Sequence, residues 1–286
     1  MTVTWEELGW ERLSDRVGRV RLPGWDCTVG LVATPTGALM IDAGSSLPEG
    51  TRLRTEAAHL TGVNVTHLAL THSHFDHVLG AAAFPEAKVF AASPAYDAAE
   101  LTTDAVRNGL PPHLAEEATA RLITPDHVVR GTWQLRLGGT GDGDDAGGPG
   151  AEAVAGADDG GGPGAGGVAV GKAVPAVYAP EPLAPVDVLL ARLGPAHSPD
   201  DLVVLVRPEV PGSPPVVFCG DLVEESGEPQ AGPDAVPGRW PGVLDALLEL
   251  GGADALYVPG HGAVVDAEFV RRQRDALRER FGVSHG

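Results

Sequence analysis

From Gly18 to Asp42 the chain shows the short apolar runs of β-structure: Val20-Arg21-Leu22, Cys27 to Ala33, and Ala38 to Asp42 beyond a Thr34-Pro35-Thr36-Gly37 turn. Strands and a turn so arranged predict a hairpin, and it ends on a carboxylate, Asp42. Pro48 to Leu60 then takes helical spacing, with Pro48 suited to a first turn. Val65 to Leu70 is a short apolar run of the kind buried on both faces. Val78 to Ala83 predicts the start of a helix and Lys88 to Ala92 a strand. Ser93 to Asn108 predicts a helix with Ser93 as N-cap and Pro94 in its first turn.

Further on, Val186 to Leu193, Leu202 to Val206, Val216 to Cys219 and Ala255 to Val258 are strand-like. Val243 to Leu250 is helical, and a charged amphipathic helix spans roughly Asp266 to Arg280. Both halves place a polar residue at the end of each strand, which fits a layered α/β sandwich. Between them, Gly138 to Gly171 is a Gly/Ala/Asp/Pro tract with almost no large apolar side chain. Such a segment cannot offset the entropy of ordering, so a disordered insert is expected at about 138–180.

Composition narrows the function classes. With 286 residues and 43% hydrophobic content, one domain over 1–286 is expected, and many of the 39 Gly and 25 Pro fall in loops and the tract. A net charge of −19 repels phosphate backbones and anionic membrane surfaces, so neither nucleic acid nor membrane is an expected partner. No apolar stretch of about 20 residues occurs. Met1 to Trp10 carries neither a basic nor an apolar leader segment, which predicts a cytoplasmic protein. Cys27 and Cys219 lie far apart in apolar runs and read as buried thiols.

The segment Leu68 to Gly80, LALTHSHFDHVLG, carries the chemistry. His72 and His74 are two apart in extended chain and project to one side, where they can grip one ion, while the turn into a helix presents Asp76 and His77 to another. Imidazole with carboxylate suits zinc first, with manganese or iron also compatible. Two sites need further ligands, and polar residues do end the later apolar runs: His197 in Gly194-Pro195-Ala196-His197, Asp221 in Cys219-Gly220-Asp221, and His261 in Pro259-Gly260-His261.

This order, HxHxDH followed by His, Asp and His, resembles the metallo-β-lactamase superfamily over nearly the whole chain. The resemblance implies a four-layer αββα sandwich. It also implies one metal on His72, His74 and His197, a second on Asp76, His77 and His261, and Asp221 bridging them. Asp42 matches the acidic position beneath the metals, where it would orient a ligand or the loop by hydrogen bonding. It is grouped with Asp76 as catalytic, Asp76 doubling as proton shuttle to the leaving group.

In such a centre two divalent ions roughly 3.5–4 Å apart turn a bridging water into hydroxide and polarise the oxygen under attack. No Ser lies in a G-x-S-x-G elbow and no Cys–His pairing stands out, which disfavours an acyl-enzyme. The expectation is a hydrolase cleaving a small-molecule ester, thioester or lactone. A β-lactam hydrolase, a di-iron redox protein and a non-catalytic metal-binding module are the alternatives. Trp25 and Trp240 beside Gly and Pro suit either a pocket mouth or the core. His59, His67, His113, His127 and His285 read as structural or solvated.

Overall fold

The structure, a computed structural model, describes residues 3–138, 184–208 and 210–283, so most of the insert expected at about 138–180 lies outside the described residues. The first sheet is built in chain order from β1 (Glu11–Arg12), β2 (Val17–Arg21), β3 (Thr28–Ala33), β4 (Ala38–Ile41), β5 (Val65–Leu70), β6 (Lys88–Ala91) and β7 (His127–Val128). β1 to β4 pair antiparallel and β4 to β7 parallel. The parallel half needs crossovers, which α1 (Leu47–Thr61), α2 (Phe75–Val78), α3 (Ala98–Arg107) and α4 (Pro112–Thr119) supply. The second sheet has the order β12-β11-β10-β9-β8, from β8 (Thr132–Leu137), β9 (Val186–Ala191), β10 (Val203–Val206), β11 (Val216–Glu224) and β12 (Leu256–His261). Only β11 and β12 run parallel in it. Its outer face is covered by α5 (Trp240–Gly251) and α6 (Ala267–Phe281).

The two-residue period explains the layering. In β4, Leu39 and Ile41 turn to the core between the sheets while Ala38 and Met40 turn to the α1–α4 layer. In β10, Val204 and Val206 face the inter-sheet core and Val203 and Leu205 face α5 and α6. Three apolar layers therefore separate four layers of elements, giving the expected αββα sandwich. Among the described residues no helix is long and apolar enough to cross a membrane.

Several boundaries differ from the apolar pattern. The helix expected over Val78 to Ala83 is instead α2 followed by a 3-10 turn over Ala81–Ala83. Asp97, not Ser93, caps α3: its carboxylate accepts the N–H groups of Ala99 and Glu100, while the Ser93 hydroxyl donates to the Ala95 carbonyl in a turn. β11 runs on through Glu224, with register irregularities between Phe218 and Glu224 where it meets β12.

Candidate metal centre

Strand direction gathers the polar residues at one end of the sandwich. Asp42 follows β4, His72 and His74 follow β5, Asp76 and His77 sit in α2, and His197 follows β9. Asp221 lies inside β11 and His261 ends β12, so both belong to strands rather than to the loops beyond them. The irregular stretch of β11 is the kind of local distortion that re-aims a side chain. Gly260, on the neighbouring strand, leaves room for the result, because a Cβ there would collide with the Asp221 carboxylate. An isolated bridge between Cys27 and His261 joins the two sheets at this edge.

Each of the five histidines has one ring nitrogen held and the other turned inward. His72 Nδ1 meets Thr71 Oγ1 at 3.0 Å and His77 Nδ1 meets Asp42 Oδ2 at 2.8 Å. His74 Nε2 meets Asp234 Oδ2 at 3.1 Å, His197 Nδ1 meets the Gln230 carbonyl at 3.0 Å, and His261 Nδ1 meets the Trp25 carbonyl at 2.7 Å. Asp42 is itself fixed, accepting the Thr71 N–H on Oδ1 and the Thr71 hydroxyl on Oδ2, both at 2.8 Å. It sits at φ 63°, a left-handed conformation that Asp tolerates better than most residues. Asp42 thus touches Thr71 and His77, a positioning role.

The free ring nitrogens converge on Asp221. Its Oδ2 lies 3.6 Å from His72 Nε2 and 3.3 Å from both His197 Nε2 and His261 Nε2, and its Oδ1 lies 3.2 Å from His77 Nε2. Asp76 Oδ2 stands 3.5 Å from His261 Nε2 and 3.7 Å from His77 Nε2. Two groups could each hold an ion, His72/His74/His197/Asp221 and His77/Asp221/His261, with the donor atoms of each within 4.8 Å of one another and Asp221 common to both. Cys27, Asp76 and His77 make a third combination.

Electrostatics follow from burial set against charge. Burial opposes ionisation of Asp221, yet His77, His261, His72 and His197 hold its carboxyl well below the usual range. Burial pushes His197 down to about 4, so its imidazole is neutral at neutral pH. Burial also works against a charged His261, but Asp221 outweighs it and raises the ring to about 9.

A divalent cation fits this arrangement on two counts. His74 Nδ1 and His197 Nε2 face each other at 2.9 Å, a contact of two lone pairs unless a proton or cation joins them. In addition, His72 Nε2 and Asp221 Oδ1 are buried with no hydrogen-bond partner, in a site where such atoms ordinarily find one. A family model described as the metallo-beta-lactamase superfamily matches residues 22–261, a span that contains every one of these groups.

The chain belongs to the metallo-β-lactamase superfamily. Solved structures agree on the fold. A metallo-β-lactamase from Pontibacter korlensis superposes with a TM-score of 0.58 at 17% identity, covering 94% of this chain and 98% of that one. A metallo-β-lactamase of Pseudomonas aeruginosa in a mono-zinc form gives a TM-score of 0.57 at 15% identity, with 96% of each chain covered. Comparison with curated proteins gives no match.

Within this superfamily fold, all seven candidate ligands and Asp42 come together. The other described histidines stay apart: His59 and His113 lie on α1 and α4, His67 contacts Thr66, and His127 stacks on Phe90. His285 is outside the described residues. Trp240 is no pocket mouth. It is fully buried, its Nε1 donates to the Leu222 carbonyl at 3.0 Å, and its ring meets that of His197 edge-on at 5.5 Å. Trp25 is half-buried, edge-on to Phe75 at 5.2 Å. One approach of Cys to His was not foreseen: Cys27 Sγ lies 3.7 Å from His77 Nδ1 and donates to the Asp76 carbonyl at 3.2 Å. Asp234 and the Gln230 and Trp25 carbonyls were also missed, since a backbone acceptor leaves no mark in sequence and Asp234 sits in an ordinary Gly/Pro-rich stretch.

Proposed function

We propose that the protein is a metal-dependent hydrolase acting on an ester, thioester or lactone. The observation that carries this reading is the inward convergence of four imidazoles on Asp221, with the fifth, His74, meeting His197. His72, His74 and His197 would hold one divalent ion, Asp76, His77 and His261 a second, and Asp221 would serve both. Zinc is the simplest choice for such a donor set. Bound there, the ions would supply a nucleophile from water at neutral pH and Lewis acidity at the attacked carbonyl.

The chain's own residues do the rest. No described side chain at the centre is prepared as a nucleophile: burial pushes the Cys27 thiol up, away from the thiolate, and Ser198 donates its hydroxyl to Asp201 at 2.7 Å. Asp42, through His77, and Thr71, through His72, fix ring orientation from below. Asp76 would also carry a proton to the leaving group, and an Asp76→Asn variant that kept both metals and full turnover would remove it from that role.

The metallo-β-lactamases that share the fold make β-lactams the second class to assay. The test is hydrolysis of a thioester, lactone, aryl ester, β-lactam and phosphodiester panel by zinc-loaded protein, beside a chelated control and His74→Ala. Turnover that vanishes in both controls supports the reading, and silence across the panel with two metals bound moves it toward redox or binding.

A further inference from the structure

The connection between β11 and α5 contributes no ligand to the proposed centre, yet it reaches it twice. Asp234 Oδ2 lies 3.1 Å from His74 Nε2, and the Gln230 carbonyl lies 3.0 Å from His197 Nδ1. A carbonyl only accepts, so His197 carries its proton on Nδ1 and offers Nε2. The Asp234 carboxylate likewise takes the Nε2–H of His74 and leaves Nδ1 bare. One connection therefore sets opposite tautomers on two rings, and the two offered atoms are those that meet at 2.9 Å.

The connection is anchored for this task. The Val236 N–H donates to the Ala196 carbonyl beside His197 at 2.7 Å, and Arg280 Nη1 donates to the Pro229 carbonyl at 2.8 Å. Pro229, Pro233 and Pro237 restrict its backbone further. His72, His77 and His261 are oriented by Thr71, Asp42 and Trp25 of the first half of the chain. His74 alone depends on a side chain from this connection, and the Asp234 side chain is 30% exposed, so its loss removes little packing.

We propose that Asp234 is a positioning residue, and that the β11–α5 connection is a clasp setting the metal affinity of the His72/His74/His197 group separately from the group built on His77 and His261. The proposal rests on the two-metal reading above. A carboxylate behind a ligating histidine fixes its tautomer and raises its basicity, and such partners are worth about 10–100-fold in metal affinity.

The experiment uses the full chain, stripped of metal, as wild type, Asp234→Ala and Asp234→Asn. Zinc is titrated against a chromophoric chelator, and 15N-histidine NMR reads which ring nitrogen is protonated. Asp234→Ala is expected to weaken one ion about 10–100-fold, to leave the other unchanged, and to lose the Nε2-protonated signal of His74. Asp234→Asn keeps an acceptor of the same shape, recovers part of the affinity, and carries the test if the truncation does not fold. Two ions held by Asp234→Ala as tightly as by wild type, or both weakened alike, would overturn the clasp and leave the two-metal reading standing. A wild-type chain that takes up no ion overturns both.

Discussion

Asp42 shows how much one residue can be asked to do. Its left-handed backbone turns the carboxylate back under the site, where one oxygen meets His77 and both meet Thr71. Asn tolerates the same backbone, but Asp42→Asn replaces one of two accepting oxygens with an NH2 donor facing Thr71 and His77. Metal affinity at His77 is expected to fall about 10–100-fold, with metal-free stability lowered by about 1–3 kcal/mol. Asp42→Ala should add roughly 1–2 kcal/mol of backbone strain, visible as a lower melting temperature. His261 gives a second prediction at this scale. Raised to about 9 when metal-free, it is protonated at pH 7 and must release that proton to become a ligand; His77 beside it is raised as well, whereas His197, near 4, has none to release. Affinity of the ion beside His261 should therefore rise at least about tenfold per pH unit between pH 6 and 9. Calorimetry in two buffers of different ionisation enthalpy would count the protons released, and a pH-independent affinity would exclude them.

Elements explain why some of the site was legible and some was not. His72, His74, Asp76 and His77 follow an apolar run of six residues, so strand and ligands announce each other. β11 is different: all nine of its residues are buried, including Asp221, because the site itself lies against the strand, and polar residues in its second half masked the element. β8 alternates polar and apolar residues but runs into the Gly-rich tract, and α4 buries only Ala115, Ala118 and Thr119, too small a stripe to show a period. Trp240 was ambiguous because Pro241 and Gly242 look like a loop, while in the structure they open α5 with proline at its first turn. Trp240→Phe should consequently cost about 1–3 kcal/mol of stability, read as a lower urea midpoint at unchanged m, with KM unaffected. A KM effect without a stability effect would return Trp240 to the substrate.

At the scale of the whole molecule, the candidate metal centre draws groups from β4 to β12, and every parallel strand and crossover between them has to be in register before the donors meet. The resemblance carried by HxHxDH and the later His, Asp and His anticipated that architecture. The tautomer-setting partners were not anticipated, because they arise from close approaches between segments distant in sequence. The far end of the sandwich is under no such constraint. Leu137 at the end of β8 sits directly opposite Val186 at the start of β9, and β9 then runs away from that point toward His197. The paired ends of β8 and β9 thus meet on the side remote from the candidate metal centre. Exchange of residues 138–185 for a two-residue Asn-Gly turn, the connection that best matches paired antiparallel strands, tests how independent the two ends are. Metal stoichiometry is expected to survive the exchange, which would make this joint a splice point able to carry a reporter or affinity module.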